Sequence, residues 1–189
     1  MKKAIFLLVF LFLGFFAVSS YAQEAKIILL IAEQNIEGPQ RAWWASEIDL
    51  SVTEATIAQA LIAQNYKVIE PQELNQVIEK EQAFRVVGIS EDQSIKLGSL
   101  SRADYVILGK AVASAGGNVP QSNMRSCFAN ITAKLIRVKD SKVMAYLDGS
   151  GNSAHTDLVT GGREALARAA NSLAEKMIVE LAKVKEGGK

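Results

Sequence analysis

From Ile27 to Ala32 the chain is apolar at every position rather than at every second one. An extended strand presents successive side chains to opposite faces, so a run with no polar phase has to be covered on both sides. That single segment reads as a strand buried on both faces, and it places residues 26–32 centrally in its sheet. Tyr105-Val106-Ile107-Leu108-Gly109 has the same character, continuing to about Ser114. The segment after it behaves differently. Cys127, Ala129, Ile131, Ala133 and Leu135 alternate with Ser126, Asn130, Thr132 and Lys134, the pattern of a strand with one buried and one wet face.

The remaining elements follow from local signals. Ser51 with Glu54 and Ser90 with Gln93 have the spacing of a capping box, in which hydroxyl and side-chain acceptor satisfy the first free amides of a helix. The first box opens a helix carrying Ile57, Leu61 and Ile62 and ending near Asn65; the second opens a shorter one through Ile95, Leu97 and Leu100. Tyr66-Lys67-Val68-Ile69 reads as a strand, and Pro71 suits the first turn of a helix through Leu74, Val77 and Ile78, since that amide needs no partner. Residues 33–49 read as a polar loop, residues 115–120 as a glycine-rich loop, and Lys139–Lys142 as a tight turn into a return strand with Val143, Ala145 and Leu147 inward. Asp148 to Thr160 reads as a flexible polar stretch. Leu166, Ala169, Leu173, Met177, Leu181 and Val184 then recur every three to four residues, the pattern of a long amphipathic helix lying on the sheet.

The N-terminus adds a compartment. Lys2 and Lys3 precede an apolar run from Ala4 to Val18, closed by Ser20-Tyr21-Ala22, the layout of a cleavable export signal. The expected division is a leader over 1–22 and a single domain over 23–189, about 167 residues and large enough for a core of its own. The lone cysteine, Cys127, makes no internal disulfide and offers no N-terminal lipid attachment. Without the leader, 19 basic residues face 20 acidic ones, a net charge of −1. Their interspersion leaves no basic stripe for nucleic acid.

Chemistry-bearing residues are few. One histidine and one cysteine fall short of a zinc site built on soft ligands. No phosphate loop or dinucleotide fingerprint occurs. Ser153, His155 and Asp157 lie close together in the polar stretch, Gly161-Gly162 reads as a flexible start to the last helix, and Cys127 falls on the apolar phase of its strand. The acidic pairs Glu91-Asp92 and Glu79-Glu81 read as solvated surface. No catalytic, cofactor-binding or metal-binding residues are assigned, and no cofactor is expected. The candidate partner contacts are Trp43 and Trp44, the only tryptophans, together with Gly116, Gly117 and Asn118 in the second loop. Large aromatics in a loop anchor interfaces or fold back into the core, and both readings stay open.

Three stretches carry a family resemblance. Val68-Ile69-Glu70 leads into Leu74 and Ile78; Ala103 to Lys110 follows; Ile131 to Asp140 precedes the alanine-rich terminal helix. Together they resemble the periplasmic α/β family that includes CsgG, the FlgT middle domain, the TolB N-terminal domain and LpoB-like relatives. Two features depart from it: Ser141-Lys142 stands where the family has a Thr-Gly turn, and the long alternating hairpins of a CsgG-type pore are missing. The expected architecture is an α/β (α+β) fold with a mixed five-stranded sheet, elements in the order β-α-β-α-α-β-β-β-α and helices packed on the sheet. The resemblance implies a non-enzymatic periplasmic assembly or scaffold protein docking to an envelope machine such as the flagellar basal body or a CsgG-like secretion complex. The alternative is an LpoB-like regulator binding a peptidoglycan synthase. Partners are then outer-membrane, basal-body or other envelope proteins, with self-association open and no stable membrane insertion after leader cleavage. If Trp43 and Trp44 are interface anchors, changing both to alanine abolishes partner capture and leaves the melting temperature nearly unchanged; a large drop in melting temperature assigns them to the core.

Overall fold

The computed structural model describes residues 24–39, 50–71, 73–74 and 90–187. β1 (Lys26–Asn35), β2 (Gly38–Pro39), α1 (Val52–Ile62), β3 (Lys67–Val68), α2 (Glu91–Leu100), β4 (Tyr105–Asn118), β5 (Arg125–Arg137), β6 (Lys142–His155) and α3 (Leu158–Gly187) follow one another along the chain. β1 lies parallel to β3 on one side and to β4 on the other, and β4, β5 and β6 continue as an antiparallel meander. This is the expected mixed sheet, with the two-residue β2 folded back antiparallel on the end of β1.

The absence of alternation in β1 has the cause inferred from sequence. Ile27, Leu29 and Ile31 enter a core with Ile57 and Leu61 of α1, Ile107 of β4, Ile131 and Leu135 of β5, and Leu166, Leu173 and Met177 of α3. Ile28 and Leu30 enter a second, smaller core with Val106, Ile69, Leu74 and Leu97 of α2. β5 alternates because α3 covers its inner face while α2 reaches only its far end.

Both capping boxes form. Ser51 Oγ accepts from Glu54 N at 3.2 Å, and Ser90 Oγ accepts from Gln93 N at 3.2 Å while Ser90 N donates to Gln93 Oε1 at 2.9 Å. Glu54 does more than cap. Its Oε2 accepts from Ser51 N at 3.2 Å and its Oε1 accepts the buried N–H of Ile31 at 2.8 Å. α1 ends at Ile62, and the chain turns through Asn65 at φ 58°. Pro71 and Leu74 are helical as expected, and Val77 and Ile78 lie outside the described residues.

Four expectations need correction. The loop placed at residue 33 begins later, because β1 runs to Asn35: Glu33 is 4% exposed and accepts from Thr53 N at 2.9 Å, and Asn35 donates to Val159 O at 3.3 Å. Those polar residues are strand residues with buried partners. β4 runs to Asn118, so Gly116, Gly117 and Asn118 are strand rather than loop; a register shift between Ala115 and Asn118 absorbs them, and the turn is closed by Val119 N donating to Met124 O at 2.9 Å. The polar stretch after Asp148 is the second half of β6, which runs to His155. Its inward Gly149 and Gly151 look like turn residues in sequence, yet a Cβ at either would collide with the carbonyls of Ala169 or Ala165 in α3. Finally, Gly161 and Gly162 lie within α3, packed on Cys127 and Asn35.

Replacing Glu54 by alanine orphans the Ile31 amide, at a cost of about 1–3 kcal/mol, and removes the capping box for roughly 1 kcal/mol more. Urea unfolding is expected to show that loss, with Glu54→Gln, which keeps an acceptor, losing less than half of it. Equal losses for the two variants would contradict the acceptor role.

Candidate partner-binding face

The register of β4, β5 and β6 sends Leu108, Lys110 and Val112, then Phe128, Asn130, Thr132 and Lys134, then Tyr146, Asp148, Ser150 and Asn152 to the face opposite α3. Two of these are large and exposed against the ordinary trend for strand residues: Tyr146 at 73% and Phe128 at 46%. Phe128 lies over Gly116, where a side chain would collide with the ring. A groove of about 480 Å³ runs between Leu108, Lys110, Thr132, Lys134, Tyr146 and Asp148, and a second of about 390 Å³ lies beside Phe128, Asn130, Ser150 and Asn152.

Ion pairs to neighbouring helices fix the charges of this face. Lys134 Nζ bonds Glu91 Oε2 of α2 at 2.5 Å and stands 5.6 Å from the centroid of the Tyr146 ring, within cation–π range. The hydrogen bond to Glu91 holds the Lys134 ammonium above its ordinary pKa. Asp148 Oδ2 accepts from Lys176 Nζ of α3 at 2.9 Å. Lys110 is exposed at the groove.

The residues that sequence brought together as a conceivable reacting cluster build a corner instead. Ser153 Oγ donates to Gly161 O at 2.6 Å, and His155 Nδ1 accepts from Asp157 N at 2.9 Å. The Asp157 carboxylate accepts from Thr160 N at 2.8 Å and Thr160 Oγ1 at 2.6 Å, and the Thr160 hydroxyl, then its amide, pull the Asp157 pKa down. His155 thus sits at a strand end rather than in a flexible stretch. Cys127 is buried on β5 as expected. Among the described residues no group of three or more His, Cys, Asp or Glu side chains is placed to hold a metal ion, and no helix is long and apolar enough to cross a membrane.

Of the contacts read from sequence, Trp43 and Trp44 lie outside the described residues, as do Glu79 and Glu81. Gly116, Gly117 and Asn118 sit at the end of β4, where Gly116 underlies Phe128. Sequence reasoning passed over Phe128 and Tyr146. The available signal was their phase, since each is an aromatic on the wet side of an alternating strand.

No family model matches the chain, and no curated protein matches it. Among solved structures it is similar to the LpoB C-terminal domain from Salmonella enterica, at 16% identity over 70% of this chain and 83% of that one, with a TM-score of 0.41. Lipoprotein GNA1162 from Neisseria meningitidis matches at 14% identity over 84% of this chain and 99% of that one, TM-score 0.43. The PelC dodecamer from Paraburkholderia phytofirmans matches at 14% identity over 84% and 86%, TM-score 0.40. CsgG, FlgT and TolB are not among these three.

The β5–β6 turn generates a pH prediction. Arg137 donates to both Asp140 oxygens, at 2.9 and 2.6 Å, and lowers the Asp140 pKa to about 2. A carboxyl whose folded pKa lies below its unfolded value adds stability that is present above the unfolded value and lost as pH falls through the folded one, so the window runs from about pH 4 down to about pH 2. Asp140→Asn is expected to flatten that part of the profile. The check compares urea midpoints of both proteins at about pH 5 and about pH 2.5; parallel profiles would contradict it.

Proposed function

We propose that the chain is an exported, non-enzymatic periplasmic protein that acts by docking another envelope protein on the outer face of β4–β6. The observation that carries this is the exposed pair Tyr146 and Phe128 on a sheet face that the described helices leave open. The two rings are six residues apart in register, about 20 Å, a span that suits a protein surface better than a small ligand. The fitting partner offers apolar or aromatic side chains to the two rings and a carboxylate to Lys110. Aromatic anchors ringed by polar groups are the usual energetic centre of such contacts.

Between the two roles implied by the family resemblance, regulation of a peptidoglycan synthase is the one we adopt. Pore formation of the CsgG kind is not part of either role, since it needs long hairpins free to leave the domain, whereas the turns between β4, β5 and β6 span only residues 119–124 and 138–141. An assembly role at a basal body or secretion complex is the competing outcome.

The test compares the tagged protein with a Tyr146→Ala/Phe128→Ala variant in pull-downs from gently solubilised envelopes, with mass spectrometry of stoichiometric partners. Both sites are exposed, so stability should change by about 0.5 kcal/mol or less per site. A synthase captured by the unsubstituted protein, lost from the variant and accelerated on addition of the protein supports the regulatory reading. Basal-body or secretion components lost in the same way move the role to assembly. Capture that survives the double substitution removes this face from the function.

A further inference from the structure

β6 is the last strand of the sheet, and among the described residues no strand pairs with its outer side. It is 14 residues long. Free edges of this length are commonly protected by proline or by several charges on the strand itself, yet between Val143 and Ala154 there is no proline and a single charged residue, Asp148. The protection comes from α3. Arg168 Nη1 donates to Asn152 O at 2.6 Å, and Lys176 Nζ donates to Asp148 O at 2.7 Å while also pairing with the Asp148 carboxylate.

The two contacts are in register. Gly151 packs on Ala165 and Ala169, and Gly149 on Ala169 and Leu173, so α3 runs antiparallel to β6. Eight residues of helix rise about 12 Å and four residues of strand about 13 Å, which brings residues 168 and 176 level with carbonyls 152 and 148. Carbonyls four apart in a strand point the same way. Reached by exposed side chains from beside the sheet, with the Lys176 and Asp148 side chains 48% and 77% exposed, they point away from β5. The missing side chains at Gly149 and Gly151 let the helix approach closely enough for this reach.

We propose that the free edge of β6 is a strand-pairing surface for β6 of a second copy, and that Arg168 and Lys176 keep it closed by occupying the carbonyls of Asn152 and Asp148. The second copy is the fitting occupant because the strand is self-complementary. Two β6 strands set antiparallel about Ser150 place Asp148 opposite Asn152 and Tyr146 opposite Ala154, with no like charges opposed. This edge is a different surface from the outer face that carries Tyr146 and Phe128.

The test is an Arg168→Met/Lys176→Met variant of the exported protein, which keeps the side-chain stems and removes the donors. Light scattering coupled to size exclusion across a dilution series is expected to show a monomeric unsubstituted protein and a dimerising variant, with the dimer Kd lowered by about tenfold or more. Adding Ser150→Pro removes an outward N–H at the centre of the pairing, a position where proline is tolerated on an edge strand, and is expected to restore the monomer. Arg168→Lys/Lys176→Arg, which retains donors at both positions, is expected to stay monomeric and provides the comparison if the methionine variant folds poorly. The proposal is overturned by a folded methionine variant that stays monomeric at every concentration reached, by a dimer that Ser150→Pro leaves intact, or by an unsubstituted protein that already pairs through this edge.

Discussion

One side chain ties the central strand of the sheet to the first helix. β3 pairs with β1 only at Lys26 and Ile27, and β2 pairs with it only at Gln34 and Asn35. Between those two short contacts no strand among the described residues lies beside the outer edge of β1, and the Ile31 amide is buried there. The Glu54 carboxylate takes that amide from the first turn of α1, doing for β1 what a neighbouring strand would otherwise do. Because the same carboxylate closes the capping box with Ser51, the start of α1 and the centre of β1 are fixed relative to each other. Glu33 repeats the arrangement in the opposite direction, sending a carboxylate from the strand to Thr53 N of the helix. Each buried carboxyl meets at least one backbone donor, which offsets part of the cost of burying it, although Glu33 Oε1 is left without a hydrogen-bond partner.

With β1 placed, the rest of the sheet grows in one direction. β4 pairs along most of β1, and β5 and β6 extend the meander away from the region covered by α2. α3 follows on one side only. Among the described residues the result is a sheet enclosed on both faces at β1 and on one face at β6, and this gradient of coverage leaves both an outer face and an edge without a described element against them.

What was legible in the sequence was whatever a local rule decides. The Ser51 and Ser90 capping boxes, the two-sided burial of Ile27 to Ile31, the alternation from Cys127 to Leu135 and the stripe of α3 each depend on residues within a turn or two of one another. What was not legible depends on partners far along the chain. Gly149 and Gly151 read as loop residues until α3, nearly twenty residues later, lies against them. Glu33 and Asn35 read as loop polars because their partners, Thr53 and Val159, are 20 and 124 residues away. The candidate face was missed for the same reason: an aromatic on the wet phase of a strand is informative only once its exposure is known, and Tyr146 and Phe128 are 73% and 46% exposed. The tryptophans drew attention instead because rarity is visible in sequence and exposure is not.

The unequal coverage also separates what stabilises this domain from what it presents to others. Among the described residues the inner core draws on β1, α1, β3, β4, β5 and α3, so substitutions at its centre, such as Ile131 or Leu173, disturb several elements at once. Outer-face residues such as Thr132, Tyr146 and Ser150 contribute little to that core, and exposed ion pairs of the Lys134–Glu91 kind are worth about 0–1 kcal/mol. The consequence of the Glu91 pair is therefore mainly positional: it holds the Lys134 ammonium beside the Tyr146 ring and fixes one wall of the groove. A face whose side chains are oriented by neighbouring helices yet carry little of the folding free energy is free to change its partner while the fold stays the same. Its edge has no such freedom, because the residues that close it, Arg168 and Lys176, project from the helix whose other side is the core.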